Sequence, residues 1–318
     1  MDVVILIVGL ALILYGANIL TDGSAALAQR FGVSEFVIGL TIVAIGTSMP
    51  ELVVSVASAL RGSADMAVGN VVGSNLFNTL LIIGITALIS PLSLFGRNLW
   101  RDVPFGILAA AILWIVTADA LFFGTDGCIS RPEGIILFSC FIGFMIYSLY
   151  SSRGEEGDFE TSGGGHPRKK MIWILLSVVG GLAGLIWGGN LFLDSAVSIA
   201  HKLGVSDSVI AITLMAGGTS LPELAACVVA AAKGKAQMAL GNVIGSNISN
   251  IFLILGVSAA ITPLQLGDIL PFDILMLVIS SALLFVAAFT FKKKEIGRIE
   301  GILFILFYAA YIIWLVRR

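Results

Sequence analysis

Apolar runs of about 20 residues recur from one end of this chain to the other, and each is long enough to cross a bilayer of ~30 Å as a helix. Hydrophobic residues make up 58% of the 318 positions and charged residues only 12%, against about 25% charged in a soluble domain. Lipid offers no partner for exposed peptide groups, so these runs predict helices. A β-barrel would show short alternating segments, and the sequence has none. We place ten spans near 2–20, 35–60, 65–90, 103–118, 133–150, 171–193, 207–232, 236–261, 270–291 and 298–316. The first, Val3 to Leu20, lacks a basic flank and reads as a spanning helix rather than a cleaved signal. The expected class is an all-α integral membrane protein.

Most connections are short. The exception, residues 151–170, is rich in Gly, Ser and charge and reads as a flexible linker. It divides the chain into residues 1–150 and 171–318, each with five spans. Lys and Arg set orientation. Of the 18 basic residues, 13 fall in the loops after odd-numbered spans: Arg30, Arg97, Arg101, Arg153, Arg168, Lys169, Lys170, Lys233, Lys235, Lys292, Lys293, Lys294 and Arg298. Arg61, Arg131, Lys202, Arg317 and Arg318 fall on the other side. This predicts a multi-pass protein of the plasma membrane with both termini extracytoplasmic and the linker cytoplasmic. A net charge of -2 gives no footing for nucleic acid. Cys128, Cys140 and Cys227 have no metal-binding or CxxC spacing and read as packing residues.

The second half repeats the first at a shift of 172 residues. Gly32–Pro91 aligns with Gly204–Pro263 without a gap, and 32 of the 60 positions are identical. Polar residues are kept too: GTSMPE (46–51) meets GGTSLPE (217–223), and GNVVGSN (69–75) meets GNVIGSN (241–247). Gly16, Asn18 and Asp22 face Gly188, Asn190 and Asp194. Five spans per half means that the second copy enters the membrane upside down. Inverted repeats with paired, interrupted helices mark transporters whose site lies near the midplane.

Pro50 and Pro222 predict breaks in spans 2 and 7, because each removes a helix hydrogen bond to the carbonyl four residues earlier. Freed carbonyls at that depth need protein or a wet cavity beside them, and they suit a hard cation. Glu51 and Glu223 follow the prolines in otherwise apolar helices, with no Lys or Arg near them. A charge at mid-bilayer costs about 2.5–3.5 kcal/mol on insertion scales, and a bound cation offsets it. The bland alternative is a protonated acid held inside the bundle. Thr47 and Ser48 share the face of Glu51, as Thr219 and Ser220 share that of Glu223. Asn70, Ser74 and Asn78 form a polar stripe in span 3, repeated by Asn242, Ser246 and Asn250 in span 8. Oxygen ligands around two carboxylates suit Ca2+ and also Na+. For Asn70, Asn75, Asn242 and Asn247 the leading reading is interhelical glue. Gly69, Gly73, Gly241 and Gly245 read as small faces for close packing. Asp65, Gln237, Asp119, Asp126 and Glu133 read as solvated span-end or loop residues, and Lys292–Lys294 as a topology anchor.

The paired GTSxPE and GNxxGSN segments resemble the two alpha-repeats of the sodium/calcium exchangers, within the calcium:cation antiporter superfamily, and the resemblance covers nearly the whole chain. It implies ten transmembrane helices in two inverted five-helix repeats. It implies Ca2+ bound by Glu51, Glu223 and the carbonyls of Thr47 and Thr219. It implies Na+ sites from Ala44, Thr47, Ser48, Glu51 and Ser74, and from Ala216, Thr219, Ser220, Glu223 and Ser246. Spans 1 and 6 would slide across the other eight. Asn78 and Asn250 would line the centre. Some members carry Asp at the position of Asn250, so this chain has two central carboxylates rather than three, which weakens a K+-dependent reading.

The function expected is therefore antiport of Ca2+ against Na+ by a protein acting as a monomer, without cofactor and without enzymatic activity. The alternative is H+/Ca2+ antiport through the same glutamates. A cation channel fits less well, since a closed two-glutamate site between inverted repeats is not a continuous pore. An enzyme would need a nucleophile–base pair or an HExxH motif, and neither is present.

Overall fold

The computed structural model describes residues 2–94, 98–117, 127–151, 170–203, 216–267, 269, 271–291 and 294–317. Residues 152–169 of the linker, the start of the seventh span, Arg97, Asp119, Asp126, Lys292, Lys293, Arg318 and the side chain of Ala216 lie outside them. The fold is helical. The elements are α1 (Asp2–Phe31), α2 (Glu35–Thr47), α3 (Met49–Leu60), α4 (Ala64–Ile89), α5 (Asn98–Val116), α6 (Arg131–Ser151), α7 (Met171–Lys202), α8 (Ala216–Gly218), α9 (Leu221–Ala232), α10 (Ala236–Ile261), α11 (Pro271–Ala287) and α12 (Arg298–Arg317). Among the described residues, seven helices are long and apolar enough to span, or eight when α2 and α3 count as one bent span; α9 and α11 are shorter apolar helices. Two small antiparallel ladders pair Leu92–Ser93 with Glu295–Ile296 and Cys128–Ile129 with Leu264–Gln265.

Two helices outrun the apolar pattern. α1 continues to Phe31 rather than stopping near 20, and α7 continues to Lys202 rather than 193. The added turns of α1 are small and polar, yet Thr21, Ser24, Ala25, Leu27 and Ala28 are buried. Burial against neighbouring helices therefore carries the helix beyond the point where hydropathy ends. α1 and α7 pack along their lengths at close range. A Cβ on Gly16 would lie 2.7 Å from the Leu185 backbone N, and one on Gly181 would lie 2.6 Å from the Leu20 backbone N. Only glycine permits that approach.

Buried apolar residues form two clusters. One runs through α2–α6 and α9–α12, with Leu76, Leu80, Ile83, Leu113, Ile248 and Phe252 at its centre. The other joins α1 and α7 to the adjoining faces of α2 and α9 through Ile13, Leu20, Val178, Leu185, Val43 and Ala226. The α1–α7 pair is thus a separate body lying against the rest.

Candidate cation site

The two prolines act as the sequence predicts. α2 and α3 meet at Ser48 with a bend of 44°. The second half breaks at the equivalent Ser220, with nearly the same backbone: φ -83, ψ 8 at Ser48 and φ -89, ψ 8 at Ser220. Each proline then sits in the first turn of the helix that follows, where a missing N–H costs nothing. The break brings Glu51 and Glu223, both buried, into the space where α3, α9, α4 and α10 meet.

Each glutamate is held by the other half. Ser48 Oγ donates to Glu223 Oε1 at 3.0 Å, and Ser220 Oγ donates to Glu51 Oε1 at 3.0 Å. The second oxygen of each carboxylate, Oε2, is buried without a hydrogen-bond partner. So are Ser74 Oγ, Ser246 Oγ, Asn78 Oδ1 and Asn250 Oδ1. These six atoms are three equivalent pairs under the 172-residue shift. An orphaned buried oxygen costs about 1–3 kcal/mol, and more when charged, so these six form a candidate place for a cation; Ser24 Oγ, Thr86 Oγ1, Ser148 Oγ, Asn247 Oδ1 and Ser258 Oγ are orphaned as well. Among the described residues, no group of three His, Cys, Asp or Glu could hold a metal. The set is two carboxylates with neutral oxygens, which is hard-cation chemistry.

A second layer of amides fixes the backbone around this centre. Asn70 Nδ2 donates to Ser55 Oγ at 2.9 Å and to the Glu51 carbonyl at 3.3 Å, while its Oδ1 accepts from Thr219 Oγ1 at 3.4 Å. In the other half Asn242 Nδ2 donates to Cys227 Sγ at 3.3 Å, and its Oδ1 accepts from Thr47 Oγ1 at 3.3 Å. Asn70 and Asn242 are therefore interhelical glue, as their spacing suggests. Of their partners, Ser55 does not stand out in the sequence, and Cys227, which reads there as a packing residue, also accepts a hydrogen bond. They occupy equivalent positions, but the Ser-to-Cys change hides the match. Asn75 joins the halves directly, donating to the Asn247 carbonyl at 3.2 Å and accepting from Asn250 Nδ2 at 2.9 Å. The stripe continues into π-helical turns at Phe77–Ile82 and Asn250–Leu255, which redirect Asn78 and Asn250 at its end.

Three readings change. Gln237 is not merely solvated: its Nε2 donates to the Ser93 carbonyl at 2.5 Å and its Oε1 accepts from Asn98 at 2.9 Å. Glu133 caps its own helix, accepting from Ser130 N and Oγ at 2.7 Å each. The paired glycines are not alike either. Gly241 and Gly245 pack tightly, and a Cβ on each would lie 2.2 Å from the Phe36 carbonyl and 2.1 Å from the Leu40 carbonyl. A Cβ on Gly69 would meet only Ile269, at 3.3 Å, and on Gly73 nothing within 4 Å among the described residues. The space beside Gly69 and Gly73 is a cavity of about 760 Å³. It runs from Asp65, Met66 and Ile269 to Asn70, Thr219 and Pro222, with Gly189 and Asn190 of α7 on its wall. This cavity reaches the site at one end, and at the other α2 packs closely on α10; residues 208 and 212, which stand in the second half where Phe36 and Leu40 stand in the first, lie outside the described residues.

A helical bundle with several membrane-spanning elements, built around a buried acidic site made of oxygen, defines a multi-pass membrane protein suited to cations. Comparison with known proteins agrees. A family model for sodium/calcium exchanger protein matches residues 1–150 and 173–317, and the chain belongs to that family. It is 35% identical to sodium/calcium exchanger MaX1 of Methanosarcina acetivorans, over 97% of each chain. It is 33% identical to inner membrane protein YrbG of Escherichia coli, over 98% of this chain and 94% of that one. A solved structure of the sodium-calcium exchanger NCX_Mj, soaked without Na+ and Ca2+, matches with a TM-score of 0.83 and 35% identity, over 99% of this chain and 98% of that one.

Proposed function

We propose that this protein exchanges Ca2+ for Na+ across the plasma membrane by alternating access, as a monomer and without a cofactor. The observation that carries the reading is the set of six unpartnered buried oxygens on Glu51, Ser74, Asn78, Glu223, Ser246 and Asn250. Glu51 and Glu223 balance the charge of Ca2+, with the carbonyls of Thr47 and Thr219 adding oxygens. Na+ takes the flanking positions: Ala44, Thr47, Ser48, Ser74 and Glu51 on one side, Ala216, Thr219, Ser220, Ser246 and Glu223 on the other. Na+ is favoured over H+ because hydroxyl oxygens surround both carboxylates, and a proton would need none of them.

The matched repeats support ten spans in two inverted halves, residues 1–150 and 171–318, joined by a cytoplasmic linker. With the basic loops inside, the cavity beside Gly69 opens to the exterior. The NCX_Mj structures concern extracellular ion exchange in that protein, and the likeness supports an outward-facing assignment here. The test is 45Ca2+ uptake into liposomes under imposed Na+, H+ or K+ gradients. Uptake driven by an outward Na+ gradient, without a K+ requirement, is the expected result. Uptake driven only by a proton gradient would replace Na+ with H+ in this reading.

A further inference from the structure

Among the described residues, an ion pair ties the α1–α7 body to the rest at one end. Lys233, just past the end of α9, places Nζ 2.6 Å from Asp22 Oδ1 and 3.2 Å from the Asn18 carbonyl, both on α1. This is the sealed end, where Gly241 and Gly245 pack. Shifting each partner by 172 residues gives Arg61 for Lys233, Asp194 for Asp22 and Asn190 for Asn18. The second set has the same charges: a cation just past α3, and an acid and an amide on α7. It lies at the open end. There Arg61, Asn190 and Asp194 are exposed, and among the described residues no ion pair joins Arg61 to Asp194.

We propose that Lys233–Asp22 and Arg61–Asp194 are reciprocal latches, four positioning residues that hold the α1–α7 pair in one of two placements against the core. The idea rests on the alternating-access reading above. In the placement seen here the Lys233 latch is closed and the Arg61 latch is open. In the opposite placement the inverted repeat exchanges the two environments, so Arg61 reaches Asp194 and Lys233 releases Asp22. Neither pair touches the ions. The Lys233 and Asp22 side chains are 27% and 51% exposed, so the latch is a surface ion pair. Such pairs bias an equilibrium by a few-fold, which is enough to tune a transporter and too little to freeze it. A second pair at the sealed end, Lys235–Glu35 at 2.5 Å, is not duplicated, because Ser63 stands at the position equivalent to Lys235. It remains in place when the Lys233 latch is cut.

The test uses two thiol reporters at equivalent positions, in the full chain with Cys128, Cys140 and Cys227 changed to Ser. Met66→Cys sits at the cavity mouth, where Met66 is 59% exposed, and Met238→Cys sits at the sealed end, where Met238 is 2% exposed. Labelling is measured from outside intact cells and in inside-out vesicles. Lys233→Gln is expected to slow Met66→Cys labelling and speed Met238→Cys labelling by about two- to fivefold. Arg61→Gln is expected to do the reverse. Exchanging the charges, Asp22→Lys with Lys233→Asp, should restore the starting rates, and high choline chloride should shrink all the differences by screening. A purely structural role would move both reporters the same way in both variants, and that result overturns the latch. So does no change in either variant when the reporters, without charge changes, label from opposite sides and respond oppositely to Na+ and Ca2+. If the reporters label from one side only, or ignore the ions, alternating access fails and the latch falls with it.

Discussion

The two ends of the site have nearly the same sequence and, among the described residues, different surroundings. At one end GNVIGSN lies against α2 so closely that Gly241 and Gly245 have no room for a methyl group. At the other, GNVVGSN borders a cavity of about 760 Å³. Local propensity cannot explain the difference, because the residues are the same. The positions that would face Gly69 and Gly73 as Phe36, Leu40 and Ala44 face Gly241 and Gly245 are 208, 212 and 216, and the first two and the side chain of the third lie outside the described residues. The centre behaves otherwise. The Ser48–Glu223 and Ser220–Glu51 bonds have the same length, and the oxygens at 51/223, 74/246 and 78/250 are orphaned on each side, whereas Asn247 Oδ1 is orphaned and its counterpart Asn75 Oδ1 accepts from Asn250. A symmetric centre between asymmetric ends is what a site served alternately from two sides requires.

The largest effect should come from breaking the symmetric centre. Glu51→Gln or Glu223→Gln is expected to abolish Ca2+ flux in liposomes, since one remaining carboxylate leaves Ca2+ under-neutralised in a low-dielectric site. Each keeps an oxygen to accept from Ser220 or Ser48, so the protein should still purify as a folded species. The melting midpoint without ions should hold or rise, because an unpartnered buried charge has been removed. Either variant transporting at the wild-type rate would remove the glutamates from the site.

Next come the ends. Gly245→Ala places a methyl group 2.1 Å from the Leu40 carbonyl and 2.7 Å from Ala44 Cβ. Overpacking of this kind costs about 1–3 kcal/mol, so the melting midpoint should fall. Gly73→Ala meets nothing within 4 Å among the described residues and gains up to about 1 kcal/mol of helix propensity, so its midpoint should hold or rise. If the ends exchange roles during transport, Gly73 must pack in the other state as Gly245 packs in this one. Gly73→Ala should therefore slow exchange without loss of stability. A Gly73→Ala protein that is stable and fully active would mean that the ends never exchange.

Much of this centre is legible in the sequence, because polar residues in apolar helices stand out and their recurrence at a fixed shift separates them from chance. GTSMPE and its copy place the break, both glutamates and both serines at once. Less legible are features set by close packing of small residues. The extensions of α1 past Leu20 and of α7 past Leu193 carry too little hydrophobicity to register, yet Ser24, Ala28 and Ser195 are buried there. Gln237 reads as a solvated span end, because nothing local reveals that Ser93 and Asn98 fold back onto it. How closely α2 packs on Gly241 and Gly245 could not be read from the repeat. Asp22 and Asp194 stand out as a matched pair, but Lys233, the partner of Asp22, comes from a distant loop.

The smallest effect tests how far the symmetry of the centre extends. Asn78 and Asn250 are equivalent, and each has a free Oδ1. Asn250 is additionally held by Asn75, whose Oδ1 accepts its amide at 2.9 Å while the Asn75 amide donates to the Asn247 carbonyl at 3.2 Å. Asn250→Asp replaces that donor with a carboxylate facing Asn75 Oδ1. The Asn75 amide can flip to donate, but it then gives up the Asn247 carbonyl, so one hydrogen bond is lost, a cost of about 1 kcal/mol. Folding should survive that. Coupling should change, because two carboxylates already balance Ca2+ and a third negative charge calls for another monovalent cation or a proton. Na+-driven Ca2+ flux measured across pH 5.5–8.5, with and without K+, should show no K+ requirement in the unmodified protein. In Asn250→Asp it should show a steeper pH dependence or a new K+ effect, of about two- to fivefold in rate. Superimposable profiles for the two proteins would mean that Asn250 stands behind the site as part of the Asn75 buttress, and that the free Oδ1 takes no part in holding ions.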